Sequence, residues 1–184
     1  MRQTFPLLVL LGLAAAVPAR AQQDFSAVEI QTQQVAAGVY MLIGAGGNIG
    51  VSVGEDGVFL IDDQYAPMTD KVVAAIGRIT SEPVRFVFNT HWHGDHTGGN
   101  ENLGGTGAVI VAHENVRVRM SVDQVLDRIG RPEATMPAAP NVALPVITFT
   151  EDVTFHLNGD ELHAFHVEAA HTDGDAIVHF RGAN

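Results

Sequence analysis

The chain has 184 residues, 46% of them apolar, which is enough to bury one core and excludes an intrinsically disordered chain. Its formal net charge of −11 disfavours nucleic acid as a partner, because an acidic surface repels phosphate groups. The chain contains no cysteine, so disulfide bonds, thiolate metal ligands and a cysteine-linked lipid anchor are all excluded.

The first 21 residues are typical of a secretory signal peptide. Arg2 supplies positive charge, residues 5–17 are apolar, and Ala19-Arg20-Ala21 places small side chains at the −3 and −1 positions of a cleavage site. The apolar run is shorter than the roughly 20 residues that a membrane-spanning helix needs. We therefore expect cleavage before Gln22, a periplasmic or secreted domain over residues 22–184, and no membrane anchor in the mature protein.

The first half of the mature chain predicts an antiparallel meander of strands. Residues 22–34 are polar and are expected to form a loose lead-in. Glycine-rich turns then separate three short apolar runs, at residues 39–43, 48–53 and 58–61. An amphipathic helix is expected next, because apolar side chains recur at helical spacing from Val72 to Ile79, with Thr69 or Asp70 available as its N-cap.

The second half alternates strands with helices and then returns to strands. An apolar, β-branched run at residues 84–89 predicts a buried strand that leads directly into His91. We then expect a helix starting near Gly98 and a strand, a helix and a proline-rich loop at residues 108–112, 114–129 and 132–145. Three final strands are expected at residues 154–157, 161–167 and 176–180, with an Asn-Gly hairpin turn at residues 158–159. This succession predicts an α/β sandwich of mixed sheets.

One segment carries most of the chemical information: His91-Trp92-His93-Gly94-Asp95-His96 holds three imidazoles and one carboxylate within six residues. His91 and His93 stand at i and i+2 where a strand ends, so both can project to the same side and converge on one ion. Gly94 would let the backbone turn sharply and bring Asp95 and His96 to a neighbouring point. Imidazole and carboxylate together suit zinc best, and other borderline divalent ions are the alternative. The alternative, a surface histidine cluster, fits poorly with the buried strand ahead of the segment.

Residues 89–100 closely resemble the metal-binding motif of the metallo-β-lactamase superfamily. Phe59-Leu60-Ile61-Asp62 is similar to the family strand that ends in an aspartate supporting the metal loop. Ala170-His171-Thr172 is similar to the later Gly-His-Thr segment, with alanine in place of glycine. The resemblance implies the family's αβ/βα sandwich of mixed sheets.

By this resemblance, His91, His93 and His171 would hold one zinc ion, and Asp95 and His96 would contribute to a second. In the family a bridging acidic or cysteine ligand and a further histidine complete the second site. The sequence given ends at residue 184, before both positions, so the resemblance implies that the second half of the sandwich and the second site are incomplete here. Two aspartates could substitute as ligands, but aspartates in such a turn more commonly cap it: Asp173 and Asp175.

The function implied is that of a zinc-dependent hydrolase in which metal-bound hydroxide attacks an acyl bond of a small molecule. Asp95 would be the catalytic residue that orients the hydroxide and moves its proton. β-Lactam hydrolysis is the first expectation, because an exported enzyme meets such compounds. Thioester hydrolysis of the glyoxalase II type and lactone hydrolysis are alternatives, and a non-catalytic zinc-binding fragment is an alternative of another class.

Several further residues have a simpler interpretation. His113 is expected to cap a helix or support the site, and Trp92 to pack the metal loop or line the substrate pocket. Asp63 is expected to face solvent, because neighbouring strand residues point to opposite faces. The glycine-rich turn at residues 46–48 resembles the loop that covers the active site in some family members. Half-buried positions are expected for the strand histidines His156, His163, His166 and His179.

Overall fold

The computed structural model describes residues 24–126, 134–168 and 170–183. The predicted signal peptide at residues 1–21 and its cleavage site before Gln22 lie outside these ranges. Among the described residues, no helix has both the length and the apolar composition that crossing a lipid bilayer requires.

The described part of the chain forms strands connected by short helices. The strands are β1 (Gln31–Ala36), β2 (Val39–Ile43), β3 (Ile49–Gly54), β4 (Gly57–Ile61), β5 (Val84–Asn89), β6 (Val109–His113), β7 (Gln124–Leu126), β8 (Ala134–Met136), β9 (Ile147–Phe149), β10 (Asp152–Leu157), β11 (Asp160–His166) and β12 (Ala176–Phe180). The α-helices are α1 (Thr69–Ile76), α2 (Gly94–Thr97), α3 (Asn100–Gly105) and α4 (Glu114–Met120), and short 3-10 helices occupy Ala66–Met68 and Asn141–Ala143.

The largest sheet has seven strands and changes from antiparallel to parallel pairing at β4. Its order is β1-β2-β3-β4-β5-β6-β9. Strands β1 to β4 pair antiparallel along the chain, which confirms the predicted meander. Strands β5, β6 and β9 then add in parallel. The carboxyl ends of β4, β5 and β6 therefore meet at one edge of the sheet, the edge at which such sheets commonly carry a site.

Alternation of side chains across the sheet produces two separate hydrophobic cores. On β4, Val58 and Leu60 pack on the face covered by the helices, whereas Phe59 packs on the opposite face against the sheet formed by β10, β11 and β12. There the ring of Phe59 lies 4.9 Å from that of Phe155, measured between centroids, in an edge-on arrangement. Helices, seven-stranded sheet and three-stranded sheet thus form three layers, which confirms the predicted α/β sandwich.

The Asn158-Gly159 turn joins β10 to β11 as predicted, with positive φ values of 54° and 76° at its two residues. The turn also connects the two sheets. Asn158 donates from its backbone N–H to the Asp56 carboxylate at 2.7 Å and accepts the Asp56 N–H on its side-chain oxygen at 3.2 Å. The tips of the β3–β4 and β10–β11 hairpins are therefore fastened to each other.

The structure differs from the sequence prediction in the segment after α4. The helix predicted to reach residue 129 ends at Met120, and β7 follows; residues 127–129 lie outside the described ranges. The apolar face of α4 consists of Val116 and Met120, and the next positions on that face, Asp123 and Gln124, are polar, so a longer helix would bury nothing more. The predicted loop at residues 132–145 contains β8, which pairs with β7.

Two further predictions about element ends were wrong. β1 begins inside the predicted lead-in, at Gln31, because its exposed polar side chains still allow backbone pairing with β2 at the sheet edge. Neither Thr69 nor Asp70 caps α1: the 3-10 helix Ala66–Met68 runs directly into α1, and the Thr69 hydroxyl donates back to the Ala66 carbonyl at 3.0 Å.

Candidate metal centre

The predicted metal segment leaves the carboxyl end of β5 as a tightly fastened loop. Asn89, the last residue of β5, is fully buried and donates from its side chain to the His96 carbonyl at 3.2 Å. Asn100, at the start of α3, donates to the Asn89 side chain at 2.9 Å and to the Ala143 carbonyl at 2.9 Å. The loop between these two asparagines is therefore held at both ends.

Three of the predicted ligands come together at this edge. One nitrogen from each of His91, His93 and His171 lies within 4.8 Å of the others. His93 Nδ1 and His171 Nε2 are 3.0 Å apart, although 78 residues separate them in the chain. Two nitrogens bound tetrahedrally to one zinc ion stand roughly 3.3 Å apart, so this spacing is close to what a shared ion requires.

Asp95 and His96 lie beside this group. The His96 ring centroid is 4.0 Å from that of His91, and His96 Nε2 is 3.5 Å from a carboxylate oxygen of Asp95. Within residues 24–126, 134–168 and 170–183, only His91, His93 and His171 form a group of three or more with ligand-range spacing. Asp95 and His96 thus provide two donors next to the first site, as the predicted second-site contribution requires.

Asp62 holds the loop between Asn89 and Asn100 through hydrogen bonds to Thr90 and His96. Its carboxylate accepts the Thr90 backbone N–H at 2.7 Å, the Thr90 hydroxyl at 2.8 Å and His96 Nδ1 at 2.7 Å. Because the Thr90 hydroxyl proton is directed to Asp62, that oxygen can only accept from His91 Nδ1, 3.1 Å away. Both His91 and His96 are thereby held with the proton on Nδ1 and the lone pair on Nε2, the tautomer that lets each bind a metal through Nε2.

The prediction that Asp63 faces solvent is wrong, because the residue is only 1% exposed. Asp62 adopts a left-handed conformation with φ of 63°, which breaks the strand alternation and turns both carboxylates inward. Asp63 accepts the Gly99 N–H at 2.9 Å, and its own N–H donates to the His96 carbonyl at 3.1 Å. Burial raises the pKa of Asp63 well above its ordinary value, opposed by the Gly99 hydrogen bond and assisted by the charge of Asp62.

The surroundings of His91 and His96 shift the pKa values of the two imidazoles in opposite directions. Burial, followed by the charges of His96, His93 and His171, lowers the pKa of His91 to about 4. Burial also lowers the pKa of His96, but its hydrogen bond to Asp62 and the charge of that carboxylate outweigh burial, and the net pKa is raised. His91 Nε2 is buried and has no hydrogen-bond partner. A divalent ion would satisfy this nitrogen, so the residues present fit the metal that the sequence predicts.

The low pKa of His91 can be measured in metal-free protein. We expect its ring to stay neutral from neutral pH down to about pH 5, because only below its folded pKa of about 4 does it take up a proton. A pH titration of the histidine ring signals by NMR would test this. A His91 that titrates at its ordinary value of 6.5 would contradict the burial described here.

A cavity of about 740 Å³ opens above the histidines, and residues from several elements line it. They include Arg119 from α4, Gln124 and Val125 from β7, and Thr172 beside His171. Thr172 belongs to the His171 segment identified from the sequence, whereas no motif marks Arg119, Gln124 or Val125. Trp92 serves both of its predicted roles, since it lines the cavity and packs against Val116 and Met120 in the core beneath α4.

A family model of the metallo-β-lactamase superfamily matches residues 42–184. The chain belongs to the metallo-β-lactamase superfamily. The family resemblance stated from the sequence is therefore confirmed over residues 42–184, a range that includes the ends of β4 and β5 and the turn at His171.

Solved structures of metallo-β-lactamases share the fold at low sequence identity. The subclass B3 metallo-β-lactamase BJP-1 of Bradyrhizobium japonicum is 22% identical, with 83% of this chain and 57% of that chain covered and a TM-score of 0.67. A Cronobacter sakazakii metallo-β-lactamase is 19% identical, covering 80% and 56%, with a TM-score of 0.66. One from Pontibacter korlensis is 20% identical, covering 84% and 68%, with a TM-score of 0.63. The chain spans less than three fifths of the length of the first two.

The two aspartates that could have served as substitute metal ligands have structural partners instead. Asp175 caps the turn at His171, accepting the backbone N–H groups of His171 and Thr172 and the Thr172 hydroxyl. Asp173 pairs with Arg119, with Nη2 2.8 Å from a carboxylate oxygen. Both therefore act as turn residues, the commoner of the two roles considered from sequence.

The five remaining histidines of the chain lie away from the group of three. His113 caps α4, since its Nδ1 accepts the Asn115 N–H at 3.2 Å, and its ring stacks on that of His166 at 3.9 Å between centroids. His166 and His163 are half-buried as predicted. His156 and His179 are exposed instead, because their strands turn that face outward.

The glycine-rich turn at residues 46–48 lies against the site. A Cβ on Gly46 would come within 2.8 Å of Asp95 Cβ, and one on Gly47 within 2.5 Å of the His96 ring. The turn at residues 46–48 is therefore adjacent to the site, where a covering loop would have to lie. Gly94, by contrast, has no positive φ, and a Cβ there would meet its nearest atom, Met136 Sδ, at 3.7 Å. The prediction that a glycine is needed at position 94 for a sharp turn is therefore wrong, because neither the backbone conformation nor the available space requires one.

Gly98 is the tightly packed glycine of the metal loop. A Cβ there would lie 2.7 Å from three backbone atoms, the Ala66 nitrogen and the carbonyl oxygens of Gln64 and Gly94. We expect Gly98→Ala to lower the free energy of unfolding by about 1–3 kcal/mol, because backbone must shift to admit the methyl group. Gly94→Ala is the matched control, with an expected change within about 0.5 kcal/mol. Denaturant unfolding of both variants decides the matter, and equal stabilities would contradict the packing described.

Proposed function

We propose that this protein is a zinc-dependent hydrolase that cleaves an acyl bond of a small molecule. The observation that supports this most strongly is the buried, unpartnered Nε2 of His91 in a group of three converging imidazoles. A buried imidazole nitrogen without a partner, beside two further imidazoles, is what a bound ion would explain, and three nitrogens with an open fourth position are typical of catalytic zinc. The ligands of the first ion in this proposal are His91, His93 and His171.

A zinc ion bound there supplies Lewis acidity: it lowers the pKa of water toward neutrality and polarises a substrate carbonyl. The remaining work falls to side chains. Asp95 is half-buried at the cavity and acts in this proposal as the acceptor that orients the attacking water and takes its proton. Asp95 and His96 also provide two ligand atoms for a second ion, and Asp62 keeps His96 in the required tautomer.

The substrate class that we propose first is the β-lactams, with the protein acting in the periplasm or outside the cell. A cavity of about 740 Å³ has the size of sites that bind drug-sized molecules. The predicted signal peptide would place the enzyme where such compounds arrive. The similar solved structures are named as metallo-β-lactamases, which favours the same substrate class here. Thioesters and lactones are the alternative acyl substrates.

A turnover panel on the full-length chain tests the proposal. The protein is stripped of metal, reloaded with zinc and assayed with a chromogenic cephalosporin, a glutathione thioester and an acyl lactone. Zinc-dependent cephalosporin turnover is the expected result, and the metal-stripped protein is the control. Turnover of only the thioester or the lactone would overturn the β-lactam assignment. Tight zinc binding without turnover of any substrate would overturn the hydrolase proposal in favour of a zinc-binding module.

A further inference from the structure

His171 differs from the other two proposed ligands in how it is held. His91 and His93 leave a buried strand and enter the loop fastened by Asn89 and Asn100. His171 is exposed and lies in the turn between β11 and β12. Backbone hydrogen bonds from Val167 to Asp175 and from Ala176 to Thr90, both of 2.9 Å, hold the base of this turn, but no strand pairing fixes the His171 ring opposite His93. The position of this turn must therefore be set by the elements that it contacts.

One face of α4 contacts the turn that carries His171 at three places. The Asn115 side chain donates to the Asp173 carbonyl at 2.6 Å. Arg119, one helical turn further on, donates to both Asp173 carboxylate oxygens, from Nη2 at 2.8 Å and from Nε at 3.1 and 3.3 Å. Between them, Gly174 is buried so closely that a Cβ would lie 3.0 Å from Val116 Cγ2.

Helix α4 is itself fixed by packing in the core and by its N-cap, so it can determine the position of the turn. Val116 is fully buried, Met120 is 5% exposed, and the helix is capped by His113. On the other side of the turn, Asp175 binds the backbone N–H of His171 directly. A displacement of residues 173–174 would therefore be transmitted through two residues to the His171 ring.

We infer that Asn115 and Arg119 are positioning residues for His171: they dock its turn onto α4 and so bring its imidazole to the ion proposed between His91, His93 and His171. This inference rests on the proposed function, since it assigns a role within the same site. The paired nitrogens of the guanidinium bind both carboxylate oxygens of Asp173, which a lysine cannot do. Neither residue touches the proposed ion; they act on its affinity through the geometry of His171.

Zinc affinity, measured on the metal-stripped full chain by competition with a chromophoric chelator, tests the inference. We expect Arg119→Ala to weaken zinc binding about fivefold, less than the roughly 10–100-fold usual for a residue that binds a ligand directly, because Arg119 acts through the turn and the ion pair is half exposed. Arg119→Lys keeps the positive charge but loses the paired contact with Asp173. Its affinity for zinc should therefore lie between that of the unaltered protein and that of Arg119→Ala. Arg78→Ala, at an exposed arginine just after α1, is the control and should bind zinc unchanged.

The decisive comparison is made in a His171→Ala background. If Arg119 acts through His171, adding Arg119→Ala to His171→Ala should weaken zinc binding no further. An equal fivefold loss in both backgrounds would overturn the inference, because the effect would not pass through His171. An Arg119→Ala variant that binds zinc as tightly as the unaltered protein would overturn it as well. If the unaltered protein itself binds no zinc, the proposed function fails rather than this inference alone.

Discussion

Replacing His91 with alanine is expected to remove zinc-dependent turnover and to weaken zinc binding by more than about a hundredfold. Losing a group that merely supports a ligand already costs about 10–100-fold in metal affinity, and His91 is itself a proposed ligand. Its Nε2 is the buried nitrogen that no other group satisfies. Equilibrium competition with a chelator and the cephalosporin assay measure the two losses.

The matched control for His91→Ala is His156→Ala. His156 lies on β10, and its side chain is 73% exposed. It points away from the core between the two sheets. Its removal should leave zinc affinity and turnover unchanged. If His91→Ala kept the zinc stoichiometry and turnover of the unaltered protein, the proposed metal centre would be wrong.

Asp62→Asn is expected to lower turnover and the affinity of the second ion about 10–100-fold while leaving the fold intact. Asparagine also tolerates the positive φ of 63° at this position, so the backbone need not change. Its amide NH₂, however, would have to donate to His96 Nδ1, which now donates to Asp62. His96 would then carry its proton on Nε2 and could no longer offer a lone pair beside Asp95.

Asp63→Asn is the control for this prediction. Asp63 is equally buried and lies next to Asp62, but its carboxylate accepts one backbone N–H, that of Gly99, and binds no histidine; burial raises its pKa well above the ordinary value. Asparagine resembles the neutral acid, so this exchange should leave turnover unchanged. Kinetics, zinc stoichiometry and denaturant unfolding are measured on both variants. Equal activity of the two would contradict the role given to Asp62 in setting the His96 tautomer.

The parts of the structure that follow from local chemistry could be predicted from the sequence. The strand at residues 84–89 is bounded as expected because its apolar run ends at a polar asparagine, and the Asn158-Gly159 turn forms because both residues accept positive φ. The convergence of His91 and His93 follows from two-residue periodicity at a strand end. The approach of His171 was implied only by the family motif, since no local rule connects residues so far apart.

The parts that failed depend on contacts that no local pattern encodes. Strand alternation predicted an exposed Asp63, but the left-handed backbone conformation of Asp62 reverses that alternation. An aspartate in the sequence does not by itself indicate such a conformation. The end of α4 is set by where burial stops, after Met120. Arg119 and Gln124 reach the cavity only because α4 and β7 are placed beside the site by the sheet, so their part in it had no sequence signal.

The distance along the chain between His93 and His171 has a consequence for a protein without cysteine. A single ion held by both would tie together two points 78 residues apart, as a covalent crosslink does. By the chain-entropy estimate, closing a loop of this size restricts the denatured ensemble by about 4.5 kcal/mol. The ion would then act as a clasp between the β5 loop and the three-stranded sheet, and chelation would loosen the molecule as reduction loosens a disulfide-bonded one.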